Sequence, residues 1–196
     1  MEAKLKLILI TTAALTLSTT FAQADCNAEI KAMMDAHIKA GPYHVTMDQQ
    51  MASISMKTEA DVILPDSFHM KNSRMETVLL PAGAWMKIGG KWTAMPAAMS
   101  TQVALSIKSN MDTSKMNLAN AQCLGAQQIE GQTLTAYSFD SSAEIMGTKA
   151  TSHITAYKNS NDLPAIMMVE GEALGHKSKT VQHITYDPSI TISPPN

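Results

Sequence analysis

The stretch SFHMKNSRMETVLLPAGAWMKIGGKW, residues 67–92, decides the fold. Phe68 and Met70 alternate with His69 and Lys71, and Met75, Thr77 and Leu79 alternate with Arg74 and Glu76. A period of two places successive side chains on opposite faces of a strand, so one face is apolar and the other charged. Two breaks, Pro81-Ala82-Gly83 and Gly89-Gly90, divide the run into three or four short strands. The second break leaves two residues between AWMKI and KWTAM, the length of a tight hairpin, and predicts that Ile88 pairs with Lys91 and Lys87 with Trp92. Trp85, Lys87 and Trp92 then share one face and Met86, Ile88 and Lys91 the other, so parity alone does not aim the tryptophans.

The same alternation extends upstream. Ala52, Ile54, Met56, Thr58, Ala60, Val62 and Leu64 oppose Ser53, Ser55, Lys57, Glu59 and Asp61, and before them Tyr43, Val45 and Met47 alternate with His44, Thr46 and Asp48. One face meets apolar surroundings and the other water, as in an antiparallel sheet. Residues 27–40 change the period: Ile30, Met33, Met34, His37 and Ile38 recur at helical spacing, and Gly41-Pro42 stops the helix. Downstream, Met99, Val103, Ile107 and Met111 recur every four residues and predict a second helix over 96–111. A polar loop is expected over 112–120, then strands at 121–129, 133–139, 150–157, 165–170 and 179–186, with Asp187-Pro188 ending the last.

Composition narrows the compartment and the partners. Lys4 and Lys6 precede an apolar run from Leu7 to Leu17 and a small-residue site at Ala22-Gln23-Ala24, the pattern of a secretory signal spanning 1–24. The run is shorter than the ~20 apolar residues of a spanning helix. The expected mature chain, 25–196, is one domain and carries 13 Lys plus Arg against 16 Asp plus Glu, a net charge of -3. That balance leaves no electrostatic footprint for nucleic acid or an anionic membrane. Cys26 and Cys123 are the two cysteines, and in an exported chain they are expected to be oxidised to a disulfide joining the first helix to the strand after the second. Lipid attachment at Cys26 is disfavoured by the charged Asp25 before it.

No catalytic pattern stands out. There is no G-x-S-x-G elbow and no glycine-rich phosphate loop. His37, His44, His69, His153, His176 and His183 lack the spacing of a zinc site, and four of them fall on strand faces where exposure to water is the simplest account. Methionine is the compositional oddity, 16 in the chain against three Phe, four Tyr and two Trp. Unbranched, polarizable side chains suit a cavity that repacks around varied alkyl chains, and they equally suit an ordinary core. Thioether sulfur also suits Cu(I). Met47, Met51 and Met56 are too far apart along strands to chelate, so a copper site would draw on Met33-Met34, Met111, Met116 and Met167-Met168 from separate segments.

The order of these elements, with Trp85-Met-Lys-Ile-Gly-Gly-Lys-Trp92, Cys123-Leu-Gly125 and Tyr186-Asp-Pro188, resembles the LolA/LppX-like lipoprotein-carrier superfamily over nearly the whole mature chain. The resemblance implies an α+β fold: a single, strongly curved antiparallel sheet, an open half-barrel, whose concave face is covered by two helices around an apolar cavity for acyl chains. The best-known carriers hold a lid shut through an arginine near the start of the barrel, whereas the one arginine here is Arg74. The expected protein is a non-catalytic, monomeric periplasmic carrier of a lipid, acyl chain or other apolar ligand, without a cofactor and without nucleic acid. Envelope lipoproteins or membrane proteins are the further partners it implies. Its expected cavity lining is Met33, Met34, Val45, Met47, Ile54, Met56, Phe68, Met70, Met75, Leu79 and Met86. The competing readings are a methionine-rich copper protein and an envelope interaction module with a filled core.

Overall fold

The computed structural model describes residues 22–110, 118–145, 148–173 and 176–195. Nearly all of the expected signal, and Met111 and Met116, lie outside the described residues. Helix α1 spans Ala22–Lys39, starting five residues before the expected helix, so the expected cut after Ala24 falls in its first turn. Six strands follow, β1 (Tyr43–Met51), β2 (Ile54–Ile63), β3 (Ser67–Asn72), β4 (Glu76–Leu80), β5 (Gly83–Ile88) and β6 (Lys91–Ala94). Then come α2 (Ala97–Asn110) and five longer strands, β7 (Ala119–Ile129), β8 (Gln132–Ile145), β9 (Thr148–Lys158), β10 (Pro164–Ala173) and β11 (His176–Tyr186).

All eleven strands form one curved, open antiparallel sheet in the order β6-β5-β4-β3-β2-β1-β11-β10-β9-β8-β7. Two meanders therefore join where the first strand pairs with the last, Tyr43 opposite Tyr186 and Met51 opposite Ser178. The Gly-Gly hairpin has the expected register, Ile88 with Lys91 and Lys87 with Trp92. Gly89 and Gly90 adopt φ of 58° and 84°, which side-chain-bearing residues rarely accept.

Register carries the alternation across the sheet. Tyr186, Tyr43, Val62, Phe68, Leu79 and Ala84 stand in one row, with Ile184, Val45, Ala60, Met70, Thr77 and Met86 in the next. Tyr137, Ala156, Met167, Gln182, Met47 and Thr58 form a third. These rows make the concave face, and among the described strand residues it carries no carboxylate. The opposite face holds Lys57, Glu59, Lys71 and Glu76, with Trp85, Lys87 and Trp92 among them. Lys57, Glu59, Lys71 and Arg74 are exposed and Asp61 is half-exposed.

Helix α1 lies on the C-terminal half of the concave face. Cys26, Ile30 and Met33 are buried against Ala121, Tyr137, Phe139 and Ala156, and Met34, Ile154 and Met167 pack at the margin. Cys26 is bonded to Cys123 of β7, their Cα atoms 5.4 Å apart, inside the reach of a disulfide. The Tyr137 hydroxyl donates to Glu29 at 2.6 Å, and His37 Nδ1 lies 2.7 Å from the Tyr186 hydroxyl with its ring against Tyr43. Burial there lowers the His37 pKa to about 4 and pushes Tyr43 up to about 12.

The convex face is not simply wetted. Ala136, Tyr157 and Ile166 stand in register on it, and with Leu134 they form a second buried cluster. Glu130, in the β7–β8 turn, meets His183 of β11 at 2.9 Å. In a flat sheet β8 and β11 would be ~14 Å apart at ~4.8 Å per strand, so the end of the β7–β8 hairpin folds over this patch. Register breaks between Ala119 and Gln122 and between Cys123 and Gly125 permit the bend.

Histidines expected to face water are all partnered. His44 lies 2.7 Å from Asp61, His69 2.8 Å from Glu76, His153 2.7 Å from Asp140 and His183 close to Glu130. Cross-strand register puts a carboxylate next to the first three, which single-strand parity cannot reveal. Glu76 also accepts from Lys87 at 3.2 Å, and the His69 hydrogen bond together with Lys87 holds its carboxyl below the usual range.

Candidate functional site

The concave face divides into a half covered by α1 and a half that α1 does not reach. On the second half Met47, Met56, Phe68, Met70 and Met86 remain half-buried, although they point inward. Met47 and Met70 pack with Val62, Leu64 and Met167 around the buried Tyr43, Val45, Ala60 and Ile184. Thr77 sits between Met70 and Met86 in the register, and its hydroxyl is buried without a hydrogen-bond partner among the described residues.

Helix α2 packs on β5, near the Pro65-Asp66 and Pro81-Ala82 turns, and a cavity of about 580 Å³ opens beneath it. Leu79, Ala84 and Met95 contribute to the sheet side, Trp85 and Pro81 to its rim, and Ala97, Ser100, Thr101, Ala104 and Leu105 to the helix side. These helix residues fall at i, i+3, i+4, i+7 and i+8 from Ala97 and so share the cavity-facing side of α2. Of the expected Met99, Val103, Ile107 and Met111 stripe, Met99 is 52% exposed and Val103 half-buried, while the Ile107 side chain and Met111 lie outside the described residues; Leu105, on the cavity side, is itself 62% exposed. Small Ala, Ser and Thr side chains on the facing stripe do not fill the gap, which is why the volume persists.

A second cavity, of about 860 Å³, lies at the far end of the sheet's C-terminal half. There the concave face is floored by Ser141, Ser152, Gly171 and Ser178, in register across β8 to β11. Its other lining includes Asp140, His153, Glu170 and Lys179, a row on the opposite face of the same strands in which the last two pair at 2.8 Å. It is larger, but neither its serine row nor its charged row offers an alkyl chain an apolar wall: polar groups there would lose water without gaining partners.

Placed on this geometry, the expected lining residues separate. Val45, Met47, Ile54, Met56, Phe68, Met70, Leu79 and Met86 share the concave face, and Met75 enters it at the β3–β4 turn. Met33 and Met34 belong to the core beneath α1. Leu79 alone among the eleven borders the cavity under α2, while Ile54, at the tip of β2 beyond both helices, is 51% exposed. Ala84, Met95, Ala104 and Leu105 are lining residues that sequence reasoning missed. Gln182 separates Met47 from Met167 in the third row, leaving these thioether-bearing residues two strand spacings, about 10 Å, apart at Cα.

No family model matches the chain, and no curated protein matches it. Among solved structures, the lipoprotein LppX of Mycobacterium tuberculosis superposes with a TM-score of 0.57 at 12% identity, covering 82% of this chain and 94% of that one. At that identity the likeness speaks for the fold alone. A chain of the MucA/MucB complex of Pseudomonas aeruginosa matches at 0.40 and 9% identity, over 84% of this chain and 59% of that one. MucB by itself matches at 0.43 and 8%, over 87% and 61%. This chain thus spans about three fifths of those two, and their TM-scores are too low to argue from. No described helix is long and apolar enough to cross a membrane.

Proposed function

We propose that this protein, whose fold is shared with LppX, is a non-catalytic carrier of an apolar or lipidic ligand in the periplasm, entered through a cleaved signal over 1–24. The observation that carries the reading is the 580 Å³ cavity between α2 and the concave end of β4 and β5. Its volume falls in the range of small-molecule sites, ~300–1,000 Å³, and its lining is mainly aliphatic, with Asp66 its one charged residue among those described. From Leu79 and Ala84 the surface continues without a charge to Phe68, Met70 and Met86, a path along which an alkyl chain stays out of water. Burial contributes ~0.8 kcal/mol per methylene, so ten methylenes supply ~8 kcal/mol against the displacement of a helix that packs lightly. The resemblance to acyl-chain carriers agrees with this placement. Methionines next to the cavity accommodate chains of different length, because their rotamers exchange at little energetic cost.

The test is uptake of a fluorescent fatty-acyl probe by wild type and by Ala104→Trp, which places an indole in the cavity from the helix side. The variant should bind at least about tenfold more weakly, a loss of about 1.4 kcal/mol, with its circular dichroism unchanged. Equal uptake by both proteins would move the ligand elsewhere, and no uptake by wild type would remove the carrier reading.

A further inference from the structure

Antiparallel order lines up three hairpin tips at one end of the sheet, opposite the end that holds the cavity under α2. They are β1–β2 at Met51-Ala-Ser-Ile54, β3–β4 around Asn72-Ser-Arg74-Met75 and β5–β6 at Ile88-Gly-Gly-Lys91. Six adjacent strands at ~4.8 Å spread them over ~24 Å. Met51, Ile54 and Ile88 are the exposed large apolar side chains of these tips, at 43%, 51% and 67%, and Met75 is half-buried. The tip segments 49–57, 71–75 and 86–95 hold Lys57, Lys71, Arg74, Lys87 and Lys91 and not one Asp or Glu. Lys57 and Lys87 are held by Glu59 and Glu76, but Lys71, Arg74 and Lys91 are exposed and have no ion pair among the described residues. The turns at the other end include Asp66, Glu130, Asp162 and Asp187. At the near end Glu170 and Glu172 of β10 lie beyond β1, next to Lys177 and Lys179, so the cationic cluster is confined to the three tips of β1 to β6. A net charge of -3 for the mature chain therefore conceals a local cationic cluster on these three tips.

We propose that these three tips dock on an anionic phospholipid surface, with Met51, Ile54 and Ile88 entering the interface and Lys71, Arg74 and Lys91 over the lipid phosphates. Exposed apolar side chains on tips that carry Lys71, Arg74 and Lys91 and no carboxylate of their own match the two attractions that bind a protein to such a surface: buried apolar area and counter-charge. Neither attraction alone favours a wetted, unpartnered Ile at 67% exposure next to Lys91; lipid satisfies both together. Trp92 stands opposite Lys87, whose Nζ lies 5.3 Å from its ring, and so places an interfacial aromatic side chain close to the same tip. This surface is independent of what the cavity under α2 holds.

Co-sedimentation of the full chain, purified without detergent, with vesicles of phosphatidylglycerol and phosphatidylethanolamine tests the proposal, alongside vesicles of phosphatidylcholine alone. Wild type should partition onto the anionic vesicles, shift its tryptophan emission to the blue, and release as salt rises through about 0.15 M. K71Q/R74Q/K91Q should lower partitioning by roughly fivefold per cation, about a hundredfold in all. M51S/I54S/I88S should lose the spectral shift while far-ultraviolet circular dichroism stays as in wild type, since all three side chains are exposed. Ala104→Trp should bind vesicles as wild type does, which separates this surface from the ligand cavity. Absence of wild-type binding, as expected were the partner of these tips an acidic protein, overturns the proposal, as does equal binding to both lipids or undiminished binding by either triple variant.

Discussion

Removing the Cys26–Cys123 bond should destabilise the protein by several kcal/mol without unfolding it. The bond spans 97 residues of sequence, and for a loop near that length the chain-entropy treatment gives about 4.7 kcal/mol at 25 °C through constraint of the unfolded chain. Natural and engineered bridges often deliver less, so C26A/C123A should lose about 3–5 kcal/mol. Helix α1 remains held without it, because Ile30 and Met33 are buried to 0% and 1% exposure and Glu29 accepts from Tyr137. The native state should therefore bury the same surface in the variant. Urea unfolding, followed by circular dichroism, reads both quantities: the midpoint falls while the slope for the oxidised and mutant proteins, each referred to its own unfolded chain, remains that of one cooperative domain. A loss under about 1 kcal/mol would refute the entropic account. A two-step transition would show instead that the bond, and not the packing of Ile30 and Met33, keeps α1 on the sheet.

Acid should weaken the protein through His37: its folded pKa of about 4 lies below the ordinary 6.5, so the neutral ring favours folding above 6.5 and that advantage is lost as pH falls toward 4. The span amounts to about 3 kcal/mol, and H37Q should flatten the pH dependence of Tm across that window; an unchanged profile would mean the ring titrates alike in the folded and unfolded chains. Thr77→Val removes a buried hydroxyl that has no partner among the described residues and should raise stability by about 1 kcal/mol in urea, whereas a loss of similar size would reveal a partner for that oxygen. Gly90→Ala, at φ 84°, should lower stability by about 1 kcal/mol and leave the Lys87–Trp92 pairing, read from cross-strand nuclear Overhauser contacts, in place.

Short-range chemistry explains which parts of the fold were readable in the chain. A two-residue Gly-Gly turn admits one register, so the pairing of Ile88 with Lys91 follows without knowledge of the rest. Alternation from Ala52 to Leu64 and from Phe68 to Leu79 identifies the concave face because water lies on one side of those strands. In the C-terminal half the same reasoning loses its grip: Leu134, Ala136, Tyr157 and Ile166 are buried on the convex side, under a hairpin whose bend depends on register breaks near Gly125. Strands β8 to β11 run longer than expected because their polar ends, such as Ser141, Ser152 and Ser178, pair by backbone whatever their side chains. Methionine content pointed to the concave face, but the cavity itself is made by Ala97 and Ala104 on α2. Small residues signal a void only after the opposing wall is known. His44 with Asp61 and His69 with Glu76 likewise required the pairing of strands, and the cationic tips required knowing which turns share an end.

Native mass spectrometry of the protein purified from its expressing cells without detergent addresses the central claim most directly. A carrier with an alkyl chain under α2 should appear as the protein mass plus adducts in the range of fatty acids or phospholipids, and these adducts should be depleted in Ala104→Trp isolated in the same way. A bare mass for wild type, with no uptake of the acyl probe on subsequent addition, would contradict it.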